Sequence, residues 1–316
     1  MLATLLFAAT AAAASPTPAP ESHFAYDPKA PLDAVTTGVE TRGDVVIQDL
    51  TYASPKGGRV PAYLVVPAGK GPFAAVVWGH WYWDNSPMKG RRQFLDEAVV
   101  LARSGVVSLL TDGPVARPGY VAGTTFSEKR YDDLVQQVVD MRRGADLLLA
   151  RPEVDPRRLV YVGHSYNATV GGILAGVDRR FKAFVLMAGA LSDQVDLRSP
   201  EYRKAREKSG PIRFDVFMAD HAWADPGPYV AKAVPAKVFL QYATQEDFLT
   251  PARAKEYAAN VSEPKAFRLY EAPHALNAEA RRDRLEFLAD VLAVKPPDAA
   301  AVAAVPDLVQ PPPPPR

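Results

Sequence analysis

Short apolar runs alternate with longer amphipathic stretches along most of the chain. Eight runs are rich in β-branched and aromatic residues: 45–53, 59–67, 73–79, 106–111, 159–163, 181–188, 237–242 and 266–270. The last six are separated by segments with helical spacing, most clearly 128–150, where apolar residues recur every three or four positions. This alternation predicts an α/β fold with a mostly parallel eight-stranded sheet and helices on both faces. A turn signal at 55–58 predicts that the first two runs form an antiparallel hairpin.

Three regions depart from this alternation. Residues 192–234 are charged and aromatic, and we interpret them as a short cap-like insertion over the carboxyl edge of the sheet. Residues 15–43 and 294–316 are rich in Pro and Ala and have no helical or strand period. The expected organisation is therefore an extended N-terminal linker, a core domain over 44–293 and an extended, solvated C-terminal tail.

The first residues resemble an export signal. The stretch MLATLLFAATAAAA is apolar and ends in small residues, with Ala12, Ala13 and Ala14 forming an Ala-x-Ala cleavage pattern. Its roughly 14 apolar residues are fewer than the about 20 that a membrane-spanning helix needs. We therefore expect a signal peptide over 1–14, a periplasmic or extracellular protein and no stable membrane anchor.

Composition restricts the chemistry. Lys plus Arg number 37 and Asp plus Glu number 36, so no basic field is available to attract nucleic acid. The chain has no cysteine and five histidines, which argues against thiolate chemistry and against a multi-histidine metal site. No dinucleotide-binding or Walker motif occurs, so no cofactor is expected. A small, neutral substrate fits this composition best.

The segment RRLVYVGHSYNATVGGILAG places a serine where an apolar run ends and a helix of small residues begins. A sharp strand-to-helix turn exposes the Ser165 hydroxyl and directs the helix N-terminus towards a developing oxyanion. We therefore predict that Ser165 is a nucleophile. His164, directly before it, is interpreted as a packing residue.

Around this turn, the run RPEVDPRRLVYVGHSYNA resembles the α/β-hydrolase superfamily, and more narrowly its dienelactone-hydrolase-like and prolyl-oligopeptidase-like esterase branches. The resemblance extends over roughly 45–292. Gly163 and Ser165 match the family's G-x-S-x-G pattern, while Asn167 stands where the last glycine is usual. The resemblance implies the α/β-hydrolase fold and a serine hydrolase.

In this family the catalytic residues follow the chain order Ser, acid, His. His274, in RLYEAPHAL after the last apolar run, stands where the family carries its histidine, whereas His221 lies within the predicted insertion. The family's acid loop, G-x-x-D-x-x-V-P, aligns with this chain on Pro251 and so assigns the acid to Asp247. Glu246 remains the alternative acid.

The oxyanion donors are also implied by the resemblance. One comes from the residue after the nucleophile, here Tyr166, and the other from the loop after the third strand, AAVVWGHWYWDN. The family's His-Gly pair is reversed at 79–80, and this alignment selects the backbone N–H of Trp81, with that of Tyr82 as the alternative.

Aromatic side chains follow the same strand, and we predict a substrate pocket that includes Tyr82, Trp83 and His80. Simple packing is the competing interpretation of these residues. The leading functional prediction is hydrolysis of a small-molecule carboxylic ester through an acyl-enzyme. A prolyl-oligopeptidase-like peptidase and a catalytically silent hydrolase used for binding are the alternatives.

Overall fold

The structure is a computed structural model and describes residues 20–82, 86–123, 127–189, 200–246 and 249–310. Within these ranges nine strands form one sheet: β1 Val35–Arg42, β2 Val45–Ala53, β3 Arg59–Val66, β4 Phe73–Gly79, β5 Val106–Thr111, β6 Val154–His164, β7 Ala183–Met187, β8 Lys237–Gln245 and β9 Lys265–Pro273. Their order is β1-β2-β3-β5-β4-β6-β7-β8-β9. Six neighbouring strands are parallel: β5, β4, β6, β7, β8 and β9. The pairs β1–β2, β2–β3 and β3–β5 are antiparallel.

The central strands are apolar on both faces because helices cover both faces of the sheet. All residues of β4, β5 and β7 are buried. Every one of the eight predicted runs coincides with or overlaps a strand. The predicted mostly parallel sheet is confirmed, with one strand more than expected.

The additional strand is β1, which lies in the region interpreted as a linker. Its residues are mostly exposed, including Val35 and Val39, because β1 lies at the edge of the sheet and, among the described strands, pairs with β2 alone. An edge strand that is exposed on both faces lacks the apolar alternation from which strands are predicted. The sequence pattern therefore could not reveal it.

Nine helices accompany the strands in the described ranges: α1 Leu95–Ala102, α2 Glu128–Leu149, α3 Tyr166–Val177, α4 Pro200–Ser209, α5 Pro211–Asp220, α6 Gly227–Val230, α7 Pro251–Asn260, α8 Ala278–Leu292 and α9 Ala299–Ala303. Helices α2, α3, α6 and α7 contribute to the core on one face of the sheet, and α1, α8 and α9 contribute to the core on the other. The predicted helix over 128–150 is α2, and its apolar stripe is buried. No helix in the described part of the chain is long and apolar enough to cross a bilayer.

The predicted insertion contains α4, α5, a 3-10 helix over Ala222–Ala224 and α6. Its second half packs against the body of the fold. The imidazole of His221 stacks on Tyr131 of α2 with ring centroids 3.9 Å apart, and Trp223 stacks on His23 at the same distance. A role of the insertion as a cap stays a prediction.

The N-terminal segment is packed and not solvated over its described part. Phe24 is fully buried in the core, and its carbonyl accepts a hydrogen bond from Arg142 of α2 at 2.7 Å. The neighbouring Arg143 donates to the carbonyl of Pro28 at 3.1 Å. The expectation of an extended, solvated linker is therefore wrong for the described part of this segment. The sequence pattern did not reveal the packing, because a single buried residue and hydrogen bonds from arginines on another helix produce no local period. The predicted signal peptide over 1–14 lies outside the described residues.

The C-terminal segment is also packed as far as residue 310. Leu308 lies against Trp81 and Ala275, and the backbone N–H of Ala275 donates to Gln310 Oε1 at 2.8 Å. The hydroxyl of Ser86 donates to the carbonyl of Val309 at 3.1 Å. The expected solvated tail is corrected for residues 294–310. This segment rests on two loops at the carboxyl edge of the sheet.

Candidate active site

Ser165 occupies the turn between β6 and α3 in a strained conformation. Its φ and ψ are 55° and −116°, a region that non-glycine residues rarely adopt and that is typical of functional turns. Its backbone N–H donates to the carbonyl of Met187 on β7 at 2.7 Å, which fixes the turn to the neighbouring strand. Ser165 is partly exposed at the carboxyl edge of the sheet. The geometry is that of a nucleophile elbow.

Asn167 occupies the position at which a glycine is usual in such elbows. It is fully buried, its amide donates to the carbonyl of His80 at 2.6 Å, and its Oδ1 accepts from Gln137 Nε2 at 2.9 Å. Its side chain has room because residue 79 is a glycine: a Cβ on Gly79 would lie 2.6 Å from Asn167 Cβ. Asn167 therefore ties the elbow to the loop after β4 instead of distorting it.

His274 and Glu246 meet because they follow neighbouring parallel strands. Gln245 and Pro273, the last residues of β8 and β9, are register partners, so the next residue of each strand lies at the same edge. Nδ1 of His274 is 2.8 Å and 2.9 Å from the two carboxylate oxygens of Glu246. Both side chains are buried, at 2% and 1% exposure.

The contact with Glu246 has a definite direction. A carboxylate only accepts hydrogen bonds, so Nδ1 of His274 carries the proton and Nε2 is the basic nitrogen of the neutral ring. Among the described residues, the carboxylate that contacts His274 is that of Glu246, the alternative acid. Asp247 lies outside the described residues.

The loop of His274 lies beside the elbow. The carbonyl of His274 is 2.9 Å from Nε2 of His164, and the two imidazoles are 5.2 Å apart between ring centroids. His274 and Glu246 thus lie beside the elbow that carries Ser165, at the carboxyl ends of β6, β8 and β9. These residues can supply a nucleophile, a base and an orienting carboxylate.

The expectation that the Trp81 N–H is an oxyanion donor needs correction. This N–H donates to Gln93 Oε1 at 2.6 Å. The indole of Trp81 is fully buried and stacks on the rings of His164 and His274, at centroid distances of 5.2 Å and 6.4 Å. Trp81 is therefore a packing residue behind the site.

His80 is corrected as a pocket residue for a similar reason. Its ring is 2% exposed, Nε2 accepts from the backbone N–H of Gly113 at 2.9 Å, and Nδ1 donates to the carbonyl of Trp81 at 2.5 Å. Burial lowers the pKa of His80 below its usual value, which agrees with a neutral ring. Tyr82 is 37% exposed and stays a candidate pocket residue, while Trp83 lies outside the described residues.

Tyr166 is the first residue of α3, so its backbone N–H belongs to the first turn, whose N–H groups point out of the helix N-terminus. This is the position predicted for an oxyanion donor. His221 lies elsewhere, with Nε2 3.1 Å from Glu128 Oε2. Within the described ranges, no three His, Asp or Glu side chains converge as a metal site requires.

No protein-family model and no curated protein sequence matches the chain significantly. Solved structures do match its fold. The chain is similar to an acetyl xylan esterase from Paenibacillus sp. R4, with a TM-score of 0.68 and 18% identity over 86% of this chain and 92% of that chain. It is also similar to acetyl xylan esterase 1 from Thermoanaerobacterium sp. JW/SL YS485, with a TM-score of 0.66 and 15% identity over 86% and 92%.

A third similar structure is a glucuronoyl esterase from Solibacter usitatus, with a TM-score of 0.61 and 16% identity over 84% of this chain and 86% of that chain. An α/β hydrolase from Penicillium sp. sh18 also matches, with a TM-score of 0.56 and 15% identity over 78% and 99%. At these identities the likeness establishes the fold, which is the α/β-hydrolase fold.

Proposed function

We propose that this protein is a serine hydrolase that cleaves carboxylic esters through an acyl-enzyme. The observation that carries the proposal is the buried pair of His274 and Glu246 beside a strained elbow that presents Ser165. A serine hydroxyl is too weakly acidic to attack a carbonyl unaided, so it needs a base, and the base needs a fixed tautomer. The contact with Glu246 fixes that tautomer.

In the proposed reaction Ser165 Oγ attacks the ester carbonyl while Nε2 of His274 takes the hydroxyl proton. The tetrahedral intermediate collapses to the acyl-serine, and the protonated His274 gives its proton to the departing alcohol. Water, deprotonated by His274, then attacks the acyl-serine, and His274 returns this proton to Ser165 Oγ as the acid is released. Glu246 stabilises the imidazolium in both steps and stays ionised. The orienting role, assigned to Asp247 from the loop alignment, passes to Glu246 in this proposal.

For the oxyanion we propose the backbone N–H groups of Tyr166 and Tyr82. The carbonyl of Trp81 accepts a hydrogen bond from His80, and in a trans peptide the N–H of the next residue points the opposite way. The N–H of Tyr82 therefore points away from the buried ring of His80. The second donor is thus proposed to be Tyr82, the alternative from the sequence alignment, and not Trp81, whose N–H donates to Gln93.

The substrate class is proposed from the similar structures, whose titles name acetyl xylan and glucuronoyl esterases. We propose a carbohydrate ester as the first class to test, with lactones as the test of the dienelactone-hydrolase-like resemblance. Export to the periplasm or the extracellular space, proposed from residues 1–14 alone, agrees with an extracellular carbohydrate substrate.

The experiment has a labelling arm and a substrate arm. A fluorophosphonate should label wild-type protein once, at Ser165 by peptide mapping, and should not label Ser165→Ala, while Ser104→Ala serves as the control serine variant. The substrate arm compares nitrophenyl esters of increasing acyl length, acetylated xylo-oligosaccharides, a methyl glucuronate ester, a lactone and a Pro-containing amide. Labelling at another serine, or faster cleavage of the amide than of every ester, contradicts the proposal.

A further inference from the structure

We propose that Gln93 is a positioning residue that, together with His164, sets the relative position of the oxyanion loop and the loop of the catalytic base. The inference rests on the proposed function. Gln93 lies between the 3-10 helix Gly90–Arg92 and α1, and it is 3% exposed. Its side chain reaches the two loops through a chain of three hydrogen bonds.

The direction of every bond in this chain follows from its two ends. The backbone N–H of Trp81 can only donate, so Gln93 Oε1 accepts it at 2.6 Å. The amide nitrogen of Gln93 then faces Nδ1 of His164, also at 2.6 Å, and donates to it. A neutral imidazole that accepts at Nδ1 carries its proton on Nε2, and this N–H donates to the carbonyl of His274 at 2.9 Å.

Only neutral His164 fits this chain. A protonated ring would place two donors, Nδ1–H and the Gln93 amide, against each other at 2.6 Å. His164 is fully buried, and burial together with the neighbouring His274 lowers the pKa of its imidazole well below its usual value. The hydrogen-bond chain therefore keeps one arrangement as long as His164 is neutral.

The chain links loops that the sheet does not place side by side. β4 and β9 are separated in the sheet by β6, β7 and β8. The peptide between His80 and Trp81 is held at both ends, since its carbonyl accepts from Asn167 and its N–H donates to Gln93. A fixed plane at this peptide sets the orientation of the next one, which carries the N–H of Tyr82. Gln93 thus acts on the oxyanion donor at one end and on the backbone of His274 at the other.

The kinetic test uses Gln93→Met, which keeps the side-chain length and removes both hydrogen bonds of the amide. We expect kcat to fall by about 10- to 100-fold with KM within about twofold, because a misplaced catalytic group slows the chemical step more than it weakens binding. Gln136→Met is the matched control, because Gln136 donates to the exposed carbonyl of Gly57 at 3.2 Å, away from the site. A kcat within threefold of wild type in Gln93→Met, or an equal fall in the control, overturns the proposal.

A spectroscopic test needs no turnover. Nitrogen-edited imidazole NMR spectra, assigned with His164→Gln, should show His164 as the neutral Nε2–H tautomer. In Gln93→Glu the carboxylate can only accept, so a proton should appear on Nδ1 of His164, and kcat should exceed that of Gln93→Met because the Trp81 N–H keeps an acceptor. A wild-type His164 that carries its proton on Nδ1 overturns the proposal.

The two tests separate this inference from the proposed function. Wild-type protein without ester hydrolysis contradicts the function, and the tautomer of His164 then still decides whether the chain exists. Active wild-type protein with an unaffected Gln93→Met variant contradicts the positioning role alone. If Gln93→Met does not fold, Gln93→Glu and the wild-type spectrum decide.

Discussion

The two sides of the site are held in place by different means. On the base side, Glu246 and His274 each lie one residue beyond a strand, and the register of β8 and β9 brings their side chains together. On the donor side, side chains hold the backbone of the loop after β4. Asn167 binds the carbonyl of His80, and Gln93 binds the N–H of Trp81.

This difference predicts different sensitivities. A residue one step from a strand end has little freedom, so the chemistry of its own side chain decides what it does. A loop held by buried amides depends on every amide, because losing one partner leaves the other buried and unsatisfied, at a cost of about 1–3 kcal/mol. The base side should therefore respond to changes of charge, and the donor side to any loss of a directed hydrogen bond.

The largest effect is expected on the base side, from Glu246→Gln. The amide is nearly isosteric with the carboxylate but neither stabilises the imidazolium nor enforces Nδ1–H on His274, so kcat should fall by roughly 10²- to 10⁴-fold with the fold unchanged by circular dichroism. Asp247→Asn, the neighbouring acid changed in the same way, should retain nearly full activity. An inactive Asp247→Asn beside an active Glu246→Gln would return the role to Asp247.

The donor side is tested next by Asn167→Ala. Without the amide, the carbonyl of His80 loses its donor and Gln137 Nε2 loses its acceptor. We expect kcat to fall by about 10-fold or more, with little change in KM, and the free energy of unfolding to fall by about 1–3 kcal/mol. Steady-state kinetics and urea denaturation measure the two effects.

The double variant Asn167→Ala, Gln137→Met serves as the control for Asn167→Ala. Removing both members of a buried hydrogen bond costs less than removing one, so stability should partly recover while activity should not. Recovery of both would mean that Asn167 supports only the fold, and the comparison between the two sides would lose its basis.

The same difference explains what could be predicted from the sequence. Strands buried on both faces have continuous apolar runs, and a serine or histidine next to such a run is placed by the strand itself. That is why the context of Ser165, after the buried end of β6, was recognisable. His274 follows β9, an edge strand with alternating burial, and its position was implied by the family resemblance. The acid was harder, because adjacent residues at a strand end differ only in register, and Glu246 and Asp247 are adjacent.

The donor side could not be derived in this way. Gln93 lies 12 residues beyond Trp81, belongs to no motif and reaches the loop only through the tertiary fold. The packed termini escaped prediction for the same reason, since Phe24 and Leu308 are single anchors in Pro-rich sequence. Asn167 offered a signal in advance: a buried amide in place of a glycine requires a partner.

A smaller effect is expected where the C-terminal segment covers both sides. A chain that ends at Val305 loses Leu308, which packs against Trp81, and Gln310, which accepts the N–H of Ala275. We expect kcat to fall several-fold and the free energy of unfolding to fall by about 1–2 kcal/mol, chiefly from the lost apolar contact. A chain that ends at Gln310 is the control. Equal activity of the two truncated chains would show that the segment does not support the catalytic loops.

The smallest effect is the pH dependence of the free energy of unfolding. It tests whether His164, which links the two sides of the site, is neutral, as its hydrogen bonds require. Burial lowers the pKa of folded His164 well below its usual value near 6.5. As the pH falls through about 6.5, the unfolded chain takes up a proton that folded His164 does not, so the free energy of unfolding falls with pH below this point and levels off above it. The limiting slope from one such histidine is about 1.4 kcal/mol per pH unit.

Urea denaturation at pH 7.5, 6.5 and 5.5 should show a shallower slope for His164→Gln, whose amide still offers an oxygen to Gln93 and an N–H to the carbonyl of His274. Some slope should remain in the variant, because burial also lowers the pKa of His80. A slope equal to that of wild type would mean that folded His164 takes up a proton as readily as the unfolded chain, and the directed chain through Gln93 would then be wrong.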